Sequence, residues 1–192
     1  MEKLYGEKIN TAVFISGRGS NLKSLIKYNR KKNSPILIKL VISNDAGAKG
    51  LTIANKSKII KYIINLNNKN FEKKLLKKLF YHKINLICLA GFMKILSKNF
   101  IKKFNKPILN IHPSLLPKYK GLNTHRRVIK NKEKFSGSTV HLVTSKLDSG
   151  KIVLQKKINV SKYESEKTLE KKVLKIEHLL YPKAIKKFLI NL

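Results

Sequence analysis

Apolar runs alternate with amphipathic stretches along most of the chain. Short apolar runs, each followed by polar or glycine-containing sequence, predict five buried β-strands: Asn10–Ser16, Ile36–Ser43, Lys61–Ile64, Asn85–Ala90 and Ile108–His112. Between them, apolar residues at helical spacing predict four helices: Asn21–Tyr28, Leu51–Lys58, Phe71–Tyr81, and one from the N-cap Ser97 through Phe104. Strands apolar on both faces, alternating with helices, are typical of a parallel sheet with helices on both faces.

The last third of the chain has a different pattern. Ser138–Val143 and Ile152–Val160 flank a Lys-Leu-Asp-Ser-Gly turn and predict an antiparallel pair of strands. Glu166 to Leu189 has helical spacing, with Pro182 expected to kink or break the helix. No repeat, linker or low-complexity block is present. We therefore predict one α/β domain over residues 1–192, with a mostly parallel twisted sheet and antiparallel strands near the C-terminal end.

The charge of the chain is strongly positive: 43 Lys and Arg residues face 10 Asp and Glu, which gives a net charge of +33. Such a balance suggests a nucleic acid or another polyanion as partner. Only four of the basic residues are Arg, however, and base and phosphate recognition relies on the planar Arg fork. Lys, Ile and Asn, the products of AT-rich codons, are abundant together, and Lys is spread along the whole chain. Codon composition is thus the favoured interpretation, and a polyanion partner remains the alternative.

Cysteine usage and hydropathy bear on the cellular compartment. Cys88 is the single cysteine and lies in an apolar run, which fits a buried thiol in a reducing cytosol. The first residues lack the apolar run of a signal peptide, and no stretch approaches the roughly 20 apolar residues of a membrane span. We expect a soluble, cytoplasmic protein without a membrane partner.

A glycine-containing loop, Ser16–Asn21, follows the first predicted strand and opens the first predicted helix. Backbone N–H groups in such a loop can approach an anion, and the helix N-terminus adds its dipole. The loop has neither the dinucleotide fingerprint nor the Gly-Lys-Ser/Thr ending of a nucleotide-binding P-loop, which argues against NAD and ATP. The two remaining interpretations are a phosphate site and an ordinary glycine turn with an Asn cap.

Asn110 and His112 are two apart at the end of a predicted strand, so their side chains point to the same face. An amide beside an imidazole could polarise a carbonyl group or hold a developing oxyanion. Pro113 and Pro117 stiffen the segment that follows. The alternative is an ordinary core or surface histidine, and the paired Asn and the strand end favour the functional interpretation.

Asp148 is one of only two aspartates in the chain, with Asp45. A carboxylate next to His112 would raise the pKa of the imidazole and could relay a proton. The alternative is an ordinary Asp-Ser-Gly turn. The other histidines show no metal-ligand spacing, so no metal site is predicted: His82, His125, His141 and His178.

Four stretches in this order resemble the glycinamide ribonucleotide formyltransferase family: Ile15–Asn21, Ala90–Ser97, Leu109–Lys120 and Ser136–Gly150. The likeness extends over residues 10–182. It implies a Rossmann-like formyltransferase fold and a transfer of the formyl group from 10-formyltetrahydrofolate, as co-substrate, to the amine of 5-phosphoribosylglycinamide. The products would be formylglycinamide ribonucleotide and tetrahydrofolate, in purine biosynthesis. Small molecules, rather than nucleic acid, would be the partners, and no metal would be needed.

The resemblance also implies roles for individual residues. The catalytic group would be Asn110, His112 and Asp148. The substrate would be held by Gly19, Ser20 and Asn21 at its phosphate and by Glu177 at its glycinamide part. The folate would be bound by Met93, Lys94, Ile95, Leu96, Asn110, Thr144 and Leu147. The N-terminal half would thus bind the phosphorylated substrate, and the C-terminal half would bind folate and catalyse the transfer. Lys94 stands where the family commonly has Arg, so a fork-type contact becomes a point-charge contact.

Three alternatives remain. Methionyl-tRNA formyltransferases and formyltetrahydrofolate hydrolases are related, but each needs a further domain that we expect 192 residues not to contain. A basic nucleic-acid-binding protein on the same scaffold is the third. The sequence leaves a monomer and a homodimer equally open.

Overall fold

The computed structural model of this chain describes residues 8–65 and 70–191. The chain divides into two compact units, Met1–Leu109 and Asn110–Leu192, called the first and the second unit below. The predicted single domain stays a prediction.

Strands and helices alternate through the first unit. Its strands are β1 (Ile9–Ile15), β2 (Ile36–Ser43), β3 (Ile60–Ile63) and β4 (Leu86–Leu89), and β5 (Ile108–His112) crosses into the second unit. Its helices are α1 (Ser20–Asn29), α2 (Lys49–Lys56), α3 (Phe71–Tyr81) and α4 (Lys98–Phe104). β1 pairs in parallel with β2 and β4, and β2 pairs in parallel with β3, giving the order β3-β2-β1-β4. The predicted parallel strands are confirmed.

The central strands of the first unit are buried on both faces. In β1 every residue from Thr11 to Ile15 is buried, and in β4 all four are, with Cys88 fully enclosed as predicted. β4 therefore contributes to the core along its whole length, and β1 does so from Thr11 onward. Each fully buried aliphatic side chain stabilises the fold by about 1.5–3 kcal/mol.

Helix α3 presents Leu75, Leu76 and Leu79 to the core and its lysines to solvent, as the spacing predicts. Phe80 is also part of the apolar pattern of this helix, but it is 48% exposed. The helix turns about 100° per residue, so Phe80 falls beside the lysine face rather than over the core. Helix α4 begins after Ser97, whose side chain accepts a hydrogen bond from the Phe100 N–H, which confirms the predicted N-cap.

The second unit continues from β5 with α5 (Thr124–Lys130), β6 (Phe135–Leu142), β7 (Ile152–Asn159) and α6 (Glu166–Ile190). Its strand order is β5-β6-β7, and β6 and β7 are antiparallel, as predicted for the C-terminal strands. Their register shifts between Val140 and His141. Helix α6 packs on β6, β7 and α5. The α/β class, parallel at first and antiparallel near the C-terminal end, is thus confirmed.

Two features of the second unit differ from the sequence prediction. Helix α5 was not predicted, because its seven residues, Thr-His-Arg-Arg-Val-Ile-Lys, carry too few apolar positions for a periodic signal. Pro182 does not break the last helix, which is continuous through it. Buried side chains on either side, Tyr181 before it and Ala184 and Ile185 after it, hold both halves in the core. No helix in the described parts of the chain has the length and apolarity to cross a membrane.

Candidate active site

Three polar side chains predicted from the sequence meet in the second unit, joined by a fourth. At the end of β5, His112 places Nδ1 3.4 Å from Oδ2 of Asp148. The other carboxylate oxygen, Oδ1, lies 3.5 Å from Nε2 of His141, which in turn lies 3.2 Å from Nδ2 of Asn110. The result is a chain of contacts from amide to imidazole to carboxylate to imidazole. Asn110 is half-buried, and the other three are almost fully buried.

The ring of His112 is oriented by a backbone carbonyl. Nε2 lies 2.8 Å from the carbonyl oxygen of Tyr119. A carbonyl can only accept, so Nε2 carries the proton and donates it, and Nδ1 is the nitrogen that faces Asp148. A proton gained by this ring therefore goes to Nδ1, where the carboxylate is in position to hold it.

Burial lowers the pKa of His112, while the Tyr119 carbonyl and the charge of Asp148 raise it and offset part of the burial. The sequence predicts that Asp148 raises the pKa of His112, and this direction is right for the contact between the two side chains taken alone. The outcome is opposite, a pKa below the ordinary histidine value, because enclosing the ring disfavours its charged form more strongly.

Asp148 stays ionised despite its enclosure. Burial would raise the pKa of this carboxyl, but the contact with the His141 ring, the hydrogen bond from the Gly121 N–H and a positive charge on His112 hold it below the ordinary value. The Gly121 N–H donates to Oδ2 over 2.8 Å. Asp148 has φ +44°, in the left-handed region that Asp and Asn tolerate best among residues with side chains. The site therefore holds a fixed anion beside a protonatable ring.

The turn that carries Asp148 is held close to β6. A side chain on Gly150 would bring its Cβ within 1.8 Å of the Leu142 carbonyl oxygen, so only glycine permits this approach. The approach keeps Asp148 within reach of the strands that carry the two histidines.

His141 is the site residue that the sequence analysis missed, since it was considered only as a metal ligand. Its Nδ1 donates to the Leu142 carbonyl over 2.8 Å, which leaves Nε2 facing Asn110 and Asp148. The available signal was its place in the strand that precedes the Asp148 turn. The register shift just before His141 sets its orientation, and no sequence pattern indicates that shift.

The predicted phosphate loop lies in the first unit, at the carboxyl end of β1. Gly19 has φ +74°, and a Cβ there would come within 2.5 Å of Gly50 Cα, so the close approach of α1 and α2 requires glycine. Ser20 and Asn21 form the first turn of α1, which has no side-chain cap on its N-cap residue. A helix N-terminus opened by a glycine is the arrangement that favours an anion.

The predicted folate segment Met93–Leu96 borders this loop within the first unit. The Ser16 N–H donates to the Gly91 carbonyl over 3.1 Å, and the Met93 N–H donates to Ser16 Oγ over 2.8 Å. Along the segment, Met93, Lys94 and Ile95 are exposed, whereas Leu96 is buried in the core.

The remaining predicted contacts belong to the second unit. Thr144 and Leu147 are exposed between β6 and β7, and Glu177 is buried on α6. The structure thus brings the three catalytic candidates together, while the phosphate loop and the 93–96 segment belong to the other unit. Across residues 8–65 and 70–191, no group of three His, Cys, Asp or Glu side chains is arranged to hold a metal ion.

Known proteins and solved structures are similar to this chain over most of its length. A protein-family model described as "Formyl transferase" matches residues 9–185. The chain is 41% identical over 186 residues to the phosphoribosylglycinamide formyltransferase of Haemophilus influenzae, covering 92% of this chain and 85% of that protein. A solved structure of phosphoribosylglycinamide formyltransferase from Brucella melitensis superposes with a TM-score of 0.91 at 40% identity, over 95% of this chain and 96% of that one.

The human trifunctional purine biosynthetic protein adenosine-3 is 40% identical over 183 residues, which are 93% of this chain. The chain spans only 18% of the length of that protein.

Proposed function

The chain belongs to the formyl transferase family, and on that basis we propose that it transfers a formyl group from 10-formyltetrahydrofolate to the amine of 5-phosphoribosylglycinamide. The products are formylglycinamide ribonucleotide and tetrahydrofolate, in purine biosynthesis. The observation that carries the proposal is the contact of Asp148 with His112 beside Asn110 at the end of β5. Relatives of similar length that are named phosphoribosylglycinamide formyltransferase support the choice of acceptor.

In this reaction the lone pair of the amine attacks the formyl carbon, and a C–N bond forms while the carbonyl oxygen becomes an oxyanion. Asn110 contacts His141 through Nδ2, and the amide group carries a second hydrogen that can be donated to the oxyanion. His112 is mainly neutral at neutral pH because its pKa is lowered, and the fraction of the protein that carries a proton on Nδ1 adds a positive charge beside the oxyanion. Donors and charge fixed before the reaction stabilise the transition state more than the ground state.

Asp148 serves as the proton acceptor in this step. Its depressed pKa keeps it ionised at neutral pH, so it supports the imidazolium of His112 and accepts, through water, the proton lost by the attacking nitrogen. The bond from the formyl carbon to N10 of the folate then breaks. The proton that the amine lost is relayed to N10, which leaves both products neutral at the reacting atoms.

Substrate recognition is assigned to a helix N-terminus and to exposed and buried side chains. We assign the substrate phosphate to Gly19, Ser20 and Asn21 at the N-terminus of α1 and the glycinamide part to Glu177. Folate recognition is assigned to Met93, Lys94, Ile95, Leu96, Asn110, Thr144 and Leu147. Phosphate binding thus belongs to the N-terminal half of one domain and catalysis to the C-terminal half, while the residues assigned to folate come from both halves.

A formyl-transfer assay tests the proposal with three acceptors in parallel: glycinamide ribonucleotide, Met-tRNA and water. We expect turnover on glycinamide ribonucleotide and none on Met-tRNA, since the related tRNA enzyme is the main alternative. Release of formate without an acceptor would instead indicate a hydrolase. Activity on the tRNA alone would overturn the proposed substrate, and inactivity on all three would overturn formyl transfer.

We further propose that the protein works in the cytoplasm on small molecules, without nucleic acid, membrane or metal, as a monomer or homodimer. The charge of +33 supports only a general attraction for anions, because it is spread along the chain. Full turnover after treatment with a chelator is expected. Tight nucleic-acid binding with a steep salt dependence would contradict the absence of a nucleic-acid partner.

A further inference from the structure

The backbone carbonyl that orients His112 belongs to a residue in an unusual conformation. Tyr119, whose carbonyl oxygen lies 2.8 Å from His112 Nε2, has φ +57°. Bulky side chains rarely adopt this left-handed region, and it persists only where the surroundings hold it. Contacts of the Tyr119 side chain hold its backbone in this conformation.

The side chain of Tyr119 is fixed at its tip and across its ring. Its hydroxyl donates to Oε1 of Glu133 over 2.8 Å and accepts from Nδ2 of Asn131 over 3.0 Å. The guanidinium of Arg127 lies 5.1 Å from the centre of the ring, within the range of a cation–π contact. The ring also packs against a core cluster in which Val128 is buried.

Glu133 is the ionic centre of this arrangement. Its Oε1 also accepts from Lys118 Nζ over 2.9 Å, so one carboxylate ties together Lys118 and the neighbouring Tyr119. Hydrogen bonds from Lys118 and Tyr119 lower the pKa of Glu133, which keeps the acceptor ionised. A charged acceptor makes the stronger kind of hydrogen bond.

We propose that Tyr119 and Glu133 are positioning residues for the catalytic histidine: the bond between the hydroxyl and the carboxylate fixes the backbone of Tyr119, whose carbonyl holds His112 with Nε2 protonated and Nδ1 towards Asp148. The part concerning catalysis rests on the proposed formyl transfer. Neither residue touches the reacting atoms. Their effect passes through one carbonyl oxygen.

The charges around His112 define what the carbonyl changes. Asp148 faces the ring from the turn after β6, His141 from β6, and His125 and Arg127 from α5. Burial and the positively charged or protonatable neighbours disfavour the imidazolium, whereas Asp148 and the Tyr119 carbonyl favour it. Loosening the carbonyl removes one of the two favourable contacts. The pKa of His112 therefore falls further, and the choice between Nε2 and Nδ1 for the single proton of the neutral ring becomes less strict.

The test uses Tyr119→Phe, which removes the donor of the hydroxyl–carboxylate bond, Glu133→Gln, which removes the charge of its acceptor, and the double variant. Glu164→Gln is the matched control. Like Glu133, Glu164 pairs with one lysine of the second unit, here Lys172, but it makes no hydrogen bond with Tyr119. The readouts are an NMR titration of the His112 ring, with the nitrogen shifts reporting the tautomer, and the pH dependence of kcat and kcat/KM.

We expect the pKa of His112 to fall in both single variants and kcat to fall about fivefold, the scale of one ordinary hydrogen bond, with KM little changed. The double variant should be no worse than Tyr119→Phe alone, since both substitutions act on the same bond. The part of the kcat/KM profile that His112 sets should move with the titration. Glu164→Gln should leave both readouts unchanged.

A lower melting temperature with an unchanged His112 titration would overturn the proposal, because it shows a purely structural role. If the wild type transfers formyl groups and both variants match Glu164→Gln, the positioning role is wrong and the proposed function stands. If the wild type transfers none, the proposed function fails. The NMR titration then decides by itself whether the two residues set the tautomer and the pKa of His112.

Discussion

The phosphate loop of the first unit and the catalytic group of the second unit use different chemistry. The loop relies on backbone geometry: Gly19 lies against Gly50 and opens α1 without a side-chain cap. The catalytic group relies on titratable side chains held at 3.4–3.5 Å from one carboxylate, that of Asp148. Backbone groups keep their charge distribution at any pH, whereas imidazole and carboxylate groups change theirs. The comparison teaches that changes to backbone shape should affect binding in the first region, and changes to protonation should affect turnover in the second.

The largest expected effect comes from the carboxylate. Asp148→Asn keeps the shape and the tolerance for φ +44° but removes the charge that supports the His112 imidazolium. We expect kcat to fall about 10²- to 10⁴-fold, the scale of a lost acid–base group, with KM for the phosphorylated substrate little changed. Asp45→Asn, in the only other aspartate of the chain, is the control. Similar kcat values for the two variants would remove Asp148 from the catalytic group.

His112→Ala tests the imidazole ring that faces the Asp148 carboxylate. It removes the positive charge proposed to stabilise the oxyanion, so kcat should fall about 10²-fold or more. Steady-state kinetics with saturating substrates give the measurement. Wild-type turnover in this variant would contradict the mechanism.

The backbone region should respond in binding instead. Gly19→Ala forces a Cβ to within 2.5 Å of Gly50 Cα at φ +74°, a strain of about 1–3 kcal/mol. We expect a higher KM for glycinamide ribonucleotide and a lower melting temperature, with kcat nearly unchanged. Gly17→Ala is a matched control in the same loop, because a Cβ at Gly17 meets nothing within 4 Å. Equal KM values for the two variants would show that the shape of the loop does not govern binding.

Stability should depend on pH through the second region only. Burial lowers the pKa of folded His112, so the unfolded chain binds a proton first as pH falls below about 6.5, and the free energy of unfolding declines. Asp148 also has a lowered pKa, so its contribution is present above its unfolded value and is lost as pH falls through the folded value. Urea titrations from pH 8 down to about pH 2 cover both steps, because the Asp148 step lies below the ordinary aspartate pKa of about 3.9. His112→Gln should reduce the first one without abolishing it, because burial also lowers the pKa of His125 and His178.

The smallest effect concerns Lys94, which is exposed beside the phosphate loop in the first unit. Lys94→Arg restores a planar fork, and we expect KM for 10-formyltetrahydrofolate to fall about two- to threefold with unchanged kcat. Initial rates at varied folate concentration measure it. An unchanged KM would mean that the side chain of Lys94 makes no contact with the folate.

Much of the fold follows from apolar patterning. The bounds of β2, α3 and β5 coincide with the predicted ones, because each is a run rich in Ile, Leu and Val or a clear helical face. Helix α5 lacks such a pattern and was missed. Pro182 predicts a kink or break in the last helix, because proline removes one backbone hydrogen bond. The helix continues because buried side chains on both sides of Pro182 hold it in the core, which the sequence pattern alone does not indicate.

The catalytic group was only partly accessible from the sequence. Asn110 and His112 share a face by strand geometry, and Asp148 stands out because acids are scarce. His141 depends on a register shift between two strands, which is a property of their pairing. The contact from the Tyr119 carbonyl to His112 involves a backbone atom, and side-chain patterns carry no information about it. Whether the predicted binding residues contact substrate and folate stays a prediction.

The left-handed backbone at Asp148 has a consequence for mutation. Asn is the residue that fits this conformation as well as Asp, and one G-to-A change in an Asp codon produces it. That change runs in the same direction as the AT-rich codon bias that we favour as the explanation for the many Lys, Ile and Asn residues. Folding alone therefore gives mutation an easy route away from the carboxylate at this position. What keeps a negative charge there has to be sought in chemistry that an amide cannot perform.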